Sequence, residues 1–133
     1  MEEALTAFLL ADATLVALVG TRVHWLRLPD QVGTFPYVRL QMVDAPRSYH
    51  SKGASGLQID RVQVDAWGET YESAKAVERA IEARLSGYRG AQSGVMFQGV
   101  FKLDARDLTD MTAEAERRLF RLQADYEIAW KTE

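Results

Sequence analysis

Between Phe120 and Trp130 the chain alternates almost without fault: Phe120, Leu122, Ala124, Tyr126, Ile128 and Trp130 are apolar, and Arg121, Gln123, Asp125 and Glu127 stand between them. A period of two is the signature of a strand whose side chains point alternately to opposite faces. Such a strand needs one face buried and the other not. It therefore calls for a mainly antiparallel sheet covered on one side by helices, with the polar face left to water or to a partner.

The rest of the chain supplies the parts. Leu5, Phe8 and Leu9 share one face of an N-terminal helix. Asp12 is placed to cap a second, short helix carrying Leu15, Val16 and Val19, with Gly20 as its terminator. Strands are expected at Arg22–Leu28, from Pro36 through Met42, at Leu57–Trp67 and at Val95–Ala105. In the third of these the apolar parity changes between Ile59 and Val62, which predicts a bulge near Asp60–Arg61. In the fourth, Val95, Phe97, Phe101, Leu103 and Ala105 share one parity. Thr70 caps the clearest helix, in which Ala74, Val77, Ile81 and Leu85 form the buried stripe. Glu72, Lys75, Glu78, Arg79 and Glu82 form its exposed face, on which Glu78 and Glu82, four apart, are like charges and not an ion pair, and Gly87 ends it. The expected architecture is one α+β domain over residues 1–133, a sheet of about five strands with helices packed on one face.

Two segments resist regular structure. Asp44–Gly56 holds Pro46, Ser48, Ser51, Gly53, Ser55 and Gly56 and reads as a long loop, a class that is usually functional or mobile. It carries Arg47, Tyr49, His50 and Lys52, types favoured at protein interfaces. Asp107–Glu116 is polar and acidic, and contributes Asp107, Asp110 and Met111 as further contact candidates. Trp67 has odd parity beside the even set Val62, Val64 and Ala66. It marks either a contact on the exposed sheet face or a ring folded over the strand end at Gly68.

No arrangement for chemistry emerges, and neither a catalytic residue nor a cofactor or metal site is expected. His24 and His50 lie apart with no metal-binding spacing, and there is no phosphate-cradling glycine loop. Asp104 and Asp107 point to opposite faces of a strand, so with Asp110 they do not converge on a metal. Gly53-Ala54-Ser55-Gly56 misses the spacing and the strand-to-helix context of a nucleophile elbow. The chain has no cysteine, which removes thiolate chemistry and disulfides. A net charge of −3 with the two signs interspersed disfavours tight nucleic-acid binding. Glu2, Glu3, Thr6, Asp12 and Thr14 interrupt the apolar N-terminal stretch, so neither a signal peptide nor a bilayer span is expected.

Several stretches together resemble a known family. They are Ala4-Leu5 to Leu9-Leu10, Leu18-Val19-Gly20, Arg22-Val23, Pro36-Tyr37-Val38, the strand Asp60 to Trp67, the helix Tyr71 to Leu85, and Tyr126-Glu127-Ile128-Ala129-Trp130. The layout is similar to that of the tail-completion proteins of phages and gene transfer agents, also called tail terminators or tail-to-head joining proteins. The resemblance covers nearly the whole chain through degenerate patterns of apolar and small residues. It implies a structural, non-enzymatic protein of the virion tail, assembled in the host cytoplasm. It further implies a homo-oligomeric ring, commonly a hexamer, that caps the tail tube, meets the head-tail connector and lets DNA pass through its channel. Two other classes stay open at this point. One is a head-completion or tail-tube subunit; the other is a small cytoplasmic enzyme or ligand-binding domain with a deep pocket and convergent polar groups.

Overall fold

The computed structural model describes residues 1–25, 36–45, 47–50, 53–107 and 120–132, with the backbone alone at 47–50 and 53–55. In chain order these form α1 (Glu2–Leu10), α2 (Ala13–Val19), β1 (Val23–Trp25), β2 (Tyr37–Asp44), β3 (Arg47–His50), β4 (Gly53–Gly68), α3 (Tyr71–Leu85), β5 (Gly90–Gln92), β6 (Val95–Asp107) and β7 (Phe120–Thr132). The strands join in one sheet of order β1-β2-β4-β7-β6-β5, and β3 pairs with β4. Only the β1–β2 pair is parallel. The five strands expected from periodicity are β1, β2, β4, β6 and β7; β3 and β5 are short additions.

All three helices bury side chains against one face of this sheet. Leu5, Phe8, Leu9, Leu15, Val19, Val77, Ile81 and Leu85 descend from the helices. Val38 and Leu40 of β2, Val62 and Val64 of β4, and Ala124, Tyr126 and Ile128 of β7 rise to meet them. Each large side chain so buried contributes about 1.5–3 kcal/mol relative to an exposed one. The helix boundaries follow local chemistry. The Leu15 amide donates to the Asp12 carboxylate at 3.2 Å, and the Ser73 amide donates to the Thr70 hydroxyl at 3.0 Å. Gly20 and Gly87 end α2 and α3 with φ of +61° and +78°, a backbone region that side chains with a Cβ rarely enter.

Four expectations change. Asp44–Gly56 is not a loop: β2 runs to Asp44, and β3 folds back on the start of β4 with Tyr49 opposite Ala54 and His50 opposite Gly53. Backbone pairing there overrides the turn-forming composition. No bulge lies at Asp60–Arg61, because β4 and β7 stay in register from Gln58 to Gly68. The irregularity is across the ladder in β2, between Met42 and Asp44. Leu57 and Ile59 consequently face away from the core and are both 40% exposed. The shared parity in β6 is broken by register shifts between Phe97 and Gly99 and between Lys102 and Asp104. Phe101, opposite Glu127, is therefore turned outward and exposed, Leu103 lies at the second shift and is exposed, and Val95, Phe97 and Val100 are buried. In the first strand, only Val23–Trp25 is described; Leu26–Leu28 lie outside the described residues.

The fourth change concerns Glu78, expected on the exposed face of α3 but 9% exposed. Lys102 of β6 reaches it at 3.4 Å and reaches Glu82 at 3.1 Å, while Lys75 approaches Glu78 at 3.4 Å. Glu78 is thus held by one cation of its own helix and one from the sheet, the latter 24 positions away in the chain. Asp60, 1% exposed on the core face, accepts a 2.7 Å bond from the Trp130 indole.

Candidate assembly surfaces

Turned away from the helices, the second sheet face is an ionic lattice. One row across four strands reads Arg39, Asp65, Gln123 and Arg106; its neighbour reads Gln41, Gln63, Asp125 and Asp104. Arg39 and Arg121 both reach Asp65 Oδ2, at 2.9 and 3.1 Å, and Gln123 Nε2 donates to Asp65 Oδ1 at 2.9 Å. Arg106 donates to Gln123 Oε1 at 2.7 Å and pairs with Asp125 at 3.2 Å and with Asp104 at 2.8 Å. Arg61 closes on Asp125 at 2.6 Å. Asp65, Gln123 and Asp125 are 0%, 6% and 3% exposed, although no described helix covers them. Their cover is the guanidinium layer itself. A buried carboxylate is tolerated only when its desolvation is offset by several directed charge-assisted bonds, and each aspartate here has at least two.

The alternation along β7 supplies the outward residues of this lattice. Its partners Arg39, Arg61 and Asp65 come from the odd positions of β2 and β4, which the same parity places on that face. Tyr37 and Trp67 extend the lattice toward the Gly68 end of β4. Their rings stack at 5.9 Å between centroids, and the Arg121 guanidinium lies 5.1 Å from the Trp67 ring centre. The contact candidate Trp67 therefore sits on the outer sheet face, as one of its two readings had it, in a built aromatic–arginine stack. Its indole Nε1 and Arg39 Nε are buried without a hydrogen-bond partner among the described residues. Burial pushes the Tyr37 hydroxyl up from its ordinary pKa, against the pull of Arg39 and Arg121.

Toward the other end the outer face turns apolar. Leu57 and Ile59 of β4 are joined by Phe101 of β6, 54% exposed, with its ring over Gly99. Leu103, at the second β6 register shift, is 47% exposed, and Val43, at the shift in β2, is 49% exposed. Parity analysis missed Phe101 and Leu103 because it assigned them to the core.

A third feature lies where α1 crosses β1 and β2. An open groove of about 770 Å³ is floored by Ala7, Leu10, Trp25 and Met42 and edged by Glu2 and Glu3. The Trp25 indole donates to the Thr6 hydroxyl at 2.7 Å, which uses the polar groups inside it. Among the described residues no group of three or more His, Asp or Glu side chains is arranged to hold a metal. No described helix is long and apolar enough to cross a membrane.

The interface candidates do not form one site. Arg47, Tyr49 and His50 lie on β3, at the end of the sheet where β4 begins; their side chains, Lys52, Asp110 and Met111 lie outside the described residues. Trp67 is at the far end of β4, and Asp107, opposite Leu122, closes β6 at that same end. Thirteen residues of strand separate Ala54, the partner of Tyr49, from Trp67, roughly 40 Å at about 3.3 Å per residue. The β3–β4 pair and the paired ends of β6 and β7, at Asp107 and Leu122, therefore lie at opposite ends of the sheet.

Comparison with known proteins agrees with this layout. The family described as "Tail completion protein gp17" matches residues 3–130. A chain in a solved virion of a native gene transfer agent (GTA) particle superposes with a TM-score of 0.79, covering 98% of this chain and 94% of its own at 23% identity. That likeness carries the fold. A second solved chain, 18% identical, reaches a TM-score of only 0.49 and carries no argument. No curated protein matches in sequence.

Proposed function

Because this chain belongs to the tail completion protein gp17 family, we propose that it is a structural, non-enzymatic component of a phage-like virion. In this reading it is a tail terminator, a closed ring, commonly of six copies, between the end of the tail tube and the head connector. The observation that carries the reading is the family match across residues 3–130. A ring of identical subunits needs two different patches per subunit that meet by rotation. The molecule offers contact surfaces on well-separated parts of its sheet, with the β3–β4 pair at one end and the paired ends of β6 and β7 at the other. One end is suited to the tube and the other to the connector.

Assembly takes place in the host cytoplasm, and the partners are the tube protein and the connector, with no membrane. DNA is met only in passage. Six copies carry six times −3, or −18, so phosphates slide past the wall without adhering. Contacts by the β3–β4 hairpin and by residues Asp107–Glu116 belong to the same proposal.

The test is mass by light scattering after size exclusion, at micromolar and higher concentration and again with tail tubes added, with negative-stain images of large species. Closed rings of fixed size are expected, whereas filaments would indicate a tube subunit. A monomer under every condition overturns the ring. Deleting residues 47–54 should leave a folded chain that assembles at least tenfold less tightly; unchanged assembly removes the hairpin from the interface.

A further inference from the structure

Arg84, in the last turn of α3, is half-buried and held in place at its root. The Asp12 amide turns to the Leu9 carbonyl at 3.1 Å, and the Phe8 carbonyl near the end of α1 accepts from Arg84 Nε at 3.0 Å. The guanidinium lies 3.8 Å from the centre of the Phe8 ring, and the Tyr88 ring meets that ring at 4.0 Å between centroids. Nε and the flat face of the group are thereby engaged. Nη1 and Nη2 make no hydrogen bond or ion pair among the described residues, and they are not sealed from solvent. Every other half-buried arginine among the described residues sets an Nη atom on a carbonyl or a carboxylate. Arg22 reaches Leu18, Arg39 and Arg121 reach Asp65, and Arg106 reaches Asp125. The free edge of Arg84 instead lines a pocket of about 300 Å³ between α1, α2 and α3, with Asp12, Thr14 and Tyr88 around it. Asp12 supplies the one carboxylate among the lining residues, and it caps α2 through the Leu15 amide without pairing with Arg84.

We propose that this pocket receives one acidic side chain, an aspartate or glutamate of a neighbouring virion subunit, whose carboxylate takes Nη1 and Nη2 end-on beside the Thr14 and Tyr88 hydroxyls. The choice of a virion subunit as the carrier rests on the reading above; the carboxylate chemistry does not. A planar fork fixed at its root matches a carboxylate through two parallel charge-assisted bonds, and little side-chain freedom is left for it to lose on binding. The space is of side-chain size, too small for a helix or a strand. Asp12 in the wall sets the charge that is accepted. One negative charge is offset by Arg84, whereas the second charge of a phosphate would meet Asp12 unopposed. The arginines of the outer sheet face are already matched to Asp65, Asp104 and Asp125 of their own chain, so an incoming carboxylate gains more at Arg84 than there.

The first measurement follows the Arg84 Nε–H resonance by NMR in the full chain as the capped peptide acetyl-Ala-Glu-Ala-amide is added. The matching glutamine peptide and inorganic phosphate serve as comparisons. A saturating shift with the glutamate peptide, and a several-fold weaker response to the other two, is expected. No response up to the solubility limit, or an equal response to the glutamine peptide, overturns the site; a stronger response to phosphate overturns the ligand. Thr14→Glu then offers the pocket a carboxylate of its own from the exposed first turn of α2, leaving the Arg84–Phe8 bond untouched. The thermal midpoint should hold or rise, because acidic residues suit a helix N-terminus. The peptide response should vanish and assembly on tail tubes should fall about tenfold, while Thr14→Gln stays near wild type. If wild-type rings form and Thr14→Glu closes them equally well, the pocket is not a subunit contact and the ring stands. If no ring forms under any condition, the proposed carrier fails with the ring, and the peptide titration still decides the pocket.

Discussion

The two faces of the sheet are buried by different physics. On the helix side, Leu40, Val62, Ile128 and their neighbours lose water to an apolar layer laid over them. On the outer side, Asp65, Gln123 and Asp125 lose water to their own arginine partners. The first is non-directional and tolerant of volume-conserving exchange. The second depends on geometry, because each charge is stable there only while its bonds are made. A lattice of this kind presents a flat polar surface already matched within itself. It does not need a partner for stability.

Three substitutions sharpen that contrast. Leu40→Ala, on the fully buried core side, should cost about 2–5 kcal/mol in urea denaturation, from lost burial and the cavity left behind. Asp65→Ala should cost about 2–3 kcal/mol, below the usual range for breaking a buried pair because both of its arginines keep partial access to water. Asp125→Ala should cost less, since Arg61 and Arg106 are more exposed at 44% and 34%. If Asp65→Ala proved neutral, the outer face would be a display of charge and not a structural layer.

The smallest effect is expected from Tyr126→Phe. The Tyr126 hydroxyl is buried without a partner, so its removal should be neutral or stabilise by about 1 kcal/mol. Burial first, then the nearby Glu82 and Glu78, push its pKa well above the ordinary 10.0. The unfolded tyrosine ionises near that ordinary value while the folded one stays neutral. Its contribution to stability is therefore complete below pH 10 and is lost as pH rises further. Denaturation between pH 9 and about 11 should show a shallower decline in Tyr126→Phe than in the parent chain. Equal slopes would place the alkaline loss elsewhere.

Much of the fold was legible in residue order because its signals are local. The alternation from Phe120 to Trp130 became β7, the stripe Ala74, Val77, Ile81 and Leu85 became the buried side of α3, and Asp12 and Thr70 became caps. What was misread depends on residues far apart in the chain. The register shifts of β6 against β7 moved Phe101 and Leu103 out of the core, and parity cannot reveal a bulge whose cause lies in the partner strand. The hairpin of β3 was hidden because serine and glycine composition speaks of turns, while the pairing partner is supplied by β4. Parity left Trp67 between the outer face and the strand end, and the ring stack with Tyr37 places it on the outer face.

Sequence alone determined which strands have two unlike faces, where the helices begin and end, and that the outer face would be polar, because these follow from nearest neighbours along the chain. Tertiary structure alone decided that Asp65 and Asp125 would be buried, that Lys102 would join Glu78 to Glu82, and that an apolar ridge and an apolar groove would stand on opposite sides of one sheet. Those features arise from contacts between residues tens of positions apart, whose energies exist only once strand order and register have brought the side chains together.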